Sequence, residues 1–190
     1  MEPAASERLF FALWPGSDVQ GKLAAWAARA AGNGRAMRRE NIHLTLAFLG
    51  ATDPGLLPAL IERARAVRFA PLRLPLDRVG YWKHNRLVWC GTDDEPQALT
   101  ALVADLRAGL EAAAIRYDPK PFVSHLTLVR KSSGLGGAPP WAPLAWEVRD
   151  FALVRSVPVD GGVRYELVER FPAREAGEME GGLRRDLDQR

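Results

Sequence analysis

Two tetrapeptides stand out by their chemistry. His43-Leu44-Thr45-Leu46 recurs, residue for residue, as His125-Leu126-Thr127-Leu128. The chain of 190 residues has only three histidines and five threonines. Chance therefore places about 0.1 copies of His-x-Thr in it, against the two present. On a strand, residues i and i+2 share a face. His43 and Thr45 then point one way while Leu44 and Leu46 point into a core, and His125, Thr127, Leu126 and Leu128 repeat the arrangement. Neighbouring strands of this kind put two imidazoles and two hydroxyls into one cleft. Imidazole gives or takes a proton near neutral pH, and hydroxyls donate to non-bridging phosphate oxygens. One neutral and one protonated histidine make a complete acid/base pair. Two core histidines on half-buried strands are the bland alternative, and the matched pair argues against it.

The elements that must position these residues are legible from periodicity. Leu9 to Trp14 is an apolar run stopped by Pro15-Gly16, a buried strand. Ser17 offers an N-cap, and Val19, Leu23, Trp26, Ala27 and Ala30 recur at helical spacing up to Gly32-Asn33-Gly34. Ile42 to Leu49 reads as a strand closed by Gly50. Asp53-Pro54 caps a helix from about Gly55 to Val67. Leu72, Leu74 and Leu76 alternate with Arg73, Pro75 and Asp77, an edge strand. Arg86 to Cys90 is a strand, Glu95 to Ala114 an amphipathic helix, and Phe122 to Val129 a strand. Ser132 to Pro140 is a flexible loop. Ala145 to Val157 and Val163 to Phe171 form a hairpin around Asp160-Gly161-Gly162. The order implies an α+β fold with helices covering outer sheet faces.

Composition narrows the function classes. Of the 26 basic residues, 22 are arginine, against 23 acids, for a net charge of +3. That permits a phosphate-bearing ligand but not long stretches of bound duplex. No apolar run suits a membrane span, and the acidic N-terminus lacks a signal core. The single cysteine, Cys90, fits a reducing cytoplasm. No metal site or cofactor is expected: there is no His-Glu-x-x-His, no Gly-Lys-Ser/Thr loop and no nucleophile elbow. Residues 173–190 are charged and short of apolar side chains, so they are expected to form a disordered tail after a single domain spanning 1–172.

Three stretches carry a family resemblance: Arg8 to Leu13, Glu40 to Gly50 and Pro121 to Arg130, with Gly80-Tyr81-Trp82 also similar. The chain resembles the two-histidine phosphoesterase superfamily, and within it the RNA 2′,3′-cyclic phosphodiesterases formerly called 2′-5′ RNA ligases. Ser124 departs from the proline that the family usually has there. The resemblance implies a bilobal fold: two pseudo-symmetric antiparallel sheets facing a central cleft, one histidine motif from each. It implies metal-independent hydrolysis of an RNA-terminal or nucleoside 2′,3′-cyclic phosphate to a 2′-phosphomonoester, with weak reverse ligation. His43 becomes the acid and His125 the base, an order that the sequence symmetry alone leaves open. Thr45, Thr127 and Arg130 become phosphate ligands.

Strict alternation puts Arg130 on the Leu126 face, so it reaches the cleft only if the strand ends or bulges near Val129. Arg35, Arg38 and Arg39 are candidates for an RNA rim, Tyr81 and Trp82 for base stacking, Phe11 for core, and His84 for an exposed turn. The implied partners are RNA 3′ ends or nucleotides bearing the cyclic phosphate, with no membrane and a monomeric enzyme. An RNA-end binding module without turnover, and an esterase or ligase for another cyclic or 2′-5′ phosphate, are the competing readings.

Overall fold

The structure, a computed structural model, describes residues 6–174. Strand β1 (Glu7–Leu13) is buried from Leu9 onward and ends at Pro15-Gly16. Helix α1 (Ser17–Ala30) turns Leu23, Trp26, Ala27 and Ala30 inward. Its N-cap is Gly16, with no side-chain cap bond, so Ser17 lies in the first turn rather than capping it. A short β2 (Arg35–Ala36) and a 3-10 turn (Arg39–Asn41) lead into β3 (Leu44–Thr52). The Asp53 carboxylate accepts the Gly55 N–H at 2.8 Å and starts a 3-10 turn that runs into α2 (Leu57–Ala66). Then follow β4 (Leu72–Leu76), β5 (Arg78–Trp82), β6 (Leu87–Gly91), α3 (Gln97–Ala112), β7 (Leu126–Arg130), β8 (Leu144–Val148), β9 (Asp150–Val159) and β10 (Gly162–Pro172).

The strands form one antiparallel path, β10-β9-β1-β3-β7-β6-β5, with β2 also on β7, and a separate pair, β4-β8. The unit β1-α1-β3 is repeated by β6-α3-β7. The two halves meet where β3 and β7 share a single residue pair, Leu44 with Leu126, and where β2 pairs with the end of β7. Elsewhere β3 and β7 diverge, and the cleft opens at that join. The helices press Leu23, Leu60, Leu99, Leu102 and Leu106 against the buried leucines of the sheet. Phe11 lies in this core against Phe151 and Phe171.

Several boundaries differ from the periodicity reading, each because pairing rather than pattern sets a strand's ends. The first motif's strand starts at Leu44 and runs through Gly50, which holds φ +70, to Thr52. The second starts at Leu126, not Phe122. The stretch read as one strand from Ala145 divides at Arg149, where the chain leaves the small sheet for the large one. The loop after Lys131 is fastened: Ser132 is buried, Trp26 Nε1 donates to the Pro139 carbonyl, and Trp141 Nε1 donates to Leu76. Of the expected tail, Ala173 and Arg174 donate backbone bonds to Arg149 and Phe69. The remainder lies outside the described residues. Among those described, no helix is long and apolar enough to cross a membrane.

Candidate active site

Both histidines sit one residue before their strands, at the point where β3 and β7 touch. The Leu44–Leu126 pair sets an antiparallel register. Counting outward along the two chains brings His43 beside Thr127 and Thr45 beside His125. Leu44, Leu46, Leu126 and Leu128 are buried beneath them. All four polar side chains line one cleft of about 220 Å³, together with Arg130, Phe48, Phe10, Asn41 and Tyr165.

A matched pair of bulges completes the cleft. Phe11 faces Ala47 and Ala12 faces Thr45, which leaves Leu46 as an extra residue in β3. Val88 faces Val129 and Trp89 faces Thr127, which leaves Leu128 as the extra residue in β7. Each bulge reverses the alternation of faces just after the threonine. Two adjacent side chains are then buried, Leu46 with Ala47 and Leu128 with Val129. The next residue, Phe48 in one half and Arg130 in the other, returns to the histidine face and lines the cleft. Lys131, at φ 56, turns away after it and is exposed.

The imidazoles are held alike. His43 Nδ1 lies 2.7 Å from the Asn41 carbonyl, and His125 Nδ1 lies 2.8 Å from the Val123 carbonyl. A carbonyl only accepts, so each Nδ1 carries the hydrogen and each Nε2 is left for chemistry. Aromatic rings fix the planes. Trp14 stacks on His43 at 5.2 Å and 6°, with Phe10 and Tyr165 at 4.9 and 5.1 Å. Trp82 meets His125 at 4.6 Å and 66°. Burial pushes His43 down from 6.5 to about 4, the charges of Arg130 and His125 act in the same direction, and the Asn41 carbonyl opposes them. Burial and Arg130 likewise lower His125, against its bond to Val123.

Of the other candidates, Arg35 and Arg38 line a groove adjoining the cleft, whereas Arg39 donates to the Ser17 carbonyl. Trp82 and His84 line a cavity on the far side of His125; Tyr81 donates to the Ser132 carbonyl instead. Sequence reasoning missed the two carbonyl anchors, Trp14, Tyr165 and Phe48. Only Phe48 had a usable signal: it occupies the place after its motif that Arg130 occupies after the other. Among the described residues, no three histidine, cysteine or carboxylate side chains gather as metal ligands. Burial pushes the Cys90 thiol up, so it is an inert core group.

Comparison with known proteins identifies the family. Residues 13–89 match the LigT like Phosphoesterase family model. The chain is 32% identical to the RNA 2′,3′-cyclic phosphodiesterase of Escherichia coli (strain K12), over 87% of this chain and 96% of that one. It is 33% identical to the enzyme of that name from Thermus thermophilus, over 88% and 90%. The crystal structure of E. coli LigT in apo form superposes with a TM-score of 0.80 at 30% identity, covering 90% of this chain and 100% of that one. E. coli LigT complexed with 3′-AMP gives 0.79 at 30% identity, covering 90% and 99%.

Proposed function

This chain belongs to the LigT-like phosphoesterases, and on that premise we propose that it is an RNA 2′,3′-cyclic phosphodiesterase working without a metal. Its substrate is the cyclic phosphate at an RNA 3′ end or on a nucleoside, and its product is the 2′-phosphomonoester. His125 Nε2 takes a proton from water, and the water oxygen bonds to phosphorus. The bond from phosphorus to the 3′ oxygen breaks on the opposite side, and His43 Nε2–H gives that oxygen its proton. Thr45, Thr127 and Arg130 donate to the non-bridging oxygens as charge builds on them. Proton exchange with solvent then resets the pair. With a 5′-hydroxyl in place of water, the same steps make a 2′-5′ linkage as a minor activity. One chain supplies the whole cleft, which supports a monomeric enzyme, and the lone buried Cys90 fits a cytoplasmic one.

The observation that carries this reading is the pair of imidazoles facing one small cleft, each with Nδ1 tied to a carbonyl and Nε2 free. An RNA-end binder has no use for two groups prepared for proton transfer. The order of roles is supported by asymmetry around the pair. His125 also borders a second cavity of about 480 Å³, a path for water, while His43 is enclosed by Trp14, Phe10 and Tyr165. Among the described residues, the cleft lining includes no carboxylate, the donor that magnesium would need. The test is turnover of a nucleoside 2′,3′-cyclic phosphate in EDTA, followed by phosphorus NMR. A 2′-phosphate product is expected. A 3′-phosphate would reverse the assignment of His43, and no turnover would overturn the function.

A further inference from the structure

A groove of about 670 Å³ continues from the cleft on its His43 side, sharing Phe10, Tyr165 and Arg130 with it. It adds Arg8, Arg35 and Arg38, and among the described residues no acidic side chain lines it. None of the four arginines is ion-paired among the described residues. Arg35 Nη1 donates to the Gly161 carbonyl at 3.3 Å, which anchors it to the β9–β10 hairpin and uses one of its five N–H groups. Arg8 lies 5.5 Å over the Phe48 ring, at the mouth of the cleft. Glycines 161 and 162 form part of the wall, where no side chain holds a strand off. The cavity on the His125 side differs: its lining mixes Asp118 with Arg107 and Lys120.

We propose that this arginine groove holds the RNA backbone on the 5′ side of the terminal cyclic phosphate, which makes the enzyme selective for oligonucleotides over mononucleotides. The inference rests on the function proposed above. There His43 protonates the 3′ oxygen, so the terminal ribose lies on the His43 side of phosphorus. The rest of the chain, attached through that ribose's 5′ oxygen, leaves from the same side, where the groove begins. Successive phosphodiesters are monoanions, and arginine forks suit them. A solvated rim of arginines predicts no such dependence on substrate length.

The experiment compares kcat/KM for cytidine 2′,3′-cyclic phosphate with that for a hexanucleotide ending in the same group, using wild type and Arg38→Lys, Arg38→Ala and Arg38→Glu. Arg38 is exposed, so these variants fold, and the mononucleotide rate checks that they do. The hexanucleotide should be the better substrate by at least about tenfold, the worth of one charge-assisted contact. Its kcat/KM should fall from Arg to Lys to Ala to Glu, while the mononucleotide value holds. The hexanucleotide's log–log salt dependence should be steeper by about 2, as three phosphates held by Arg8, Arg35 and Arg38 require. Equal salt slopes, equal rates on the two substrates, or parallel losses on both in the variants would overturn the groove assignment. If wild type turns over neither substrate, the underlying function fails instead.

Discussion

His43 has to carry a proton to act as the acid, yet burial holds its pKa at about 4 in the empty cleft. At pH 7 only about one molecule in 10³ of free enzyme would be protonated there. The substrate itself removes the obstacle. A phosphate charge about 4 Å from the ring, at an effective dielectric near 20, interacts with imidazolium by about 4 kcal/mol. That is worth about 3 pH units and raises His43 toward the range its task needs. The perturbation is therefore occupancy of the cleft, and the assay is an NMR titration of the His43 ring with and without a 2′-phosphomononucleotide. The midpoint should be well below 6.5 in free enzyme and should move up markedly in the complex. The limbs of the pH profile of kcat should likewise lie above those of kcat/KM, because the latter reports free enzyme. The depressed pKa also has a stability sign. The unfolded histidine, near 6.5, binds its proton first, so stability is complete above pH 6.5 and is lost as pH falls toward 4. The loss from His43 is at most roughly 3 kcal/mol, since the ring keeps an edge open to the cleft. A free-enzyme midpoint at or above 6.5, or one that ignores the ligand, would refute this reasoning.

Other outcomes follow from the same geometry. His43→Ala and His125→Ala should each lower kcat by about 10²–10⁴, with the double variant far short of the product of the two effects; steady-state rates on a cyclic nucleotide decide it. Thr45→Val and Thr127→Val should each cost about 10² in kcat, as the loss of one donor to a developing charge does. Activity should be unchanged after exhaustive dialysis against EDTA, measured on the same substrate. Gly91→Ala should lower both melting temperature and kcat. A Cβ there would lie 2.6 Å from the Ser124 carbonyl, backbone that cannot yield without moving His125. Overpacking of this kind costs about 1–3 kcal/mol, and calorimetry together with a cyclic-nucleotide assay would reveal it.

Much of this protein was legible in its sequence because the relevant signals are local. The identical His-x-Thr pairs needed only the period of a strand to put imidazole and hydroxyl on one face with leucines on the other. Helical spacing at Leu99, Leu102, Val103, Leu106 and Leu110 placed α3, and those residues are its buried face. Arg130 marks where local reasoning stopped. Strict alternation assigned it to the leucine face, whereas the extra residue at Leu128 brings it round to the cleft. A bulge is a mismatch between two paired strands, and one strand's sequence does not contain the register of the other. The same holds for the join itself, the Leu44–Leu126 pair that turns two separate motifs into one site. The Nδ1 anchors are carbonyls of Asn41 and Val123, groups that every residue has and no residue type announces. Tyr165 reaches His43 only because β10 folds back along β9, beside β1. Residue chemistry and periodicity thus determined which groups could react; strand register, bulges and backbone carbonyls, which exist only once the strands pair, decided how those groups face one another.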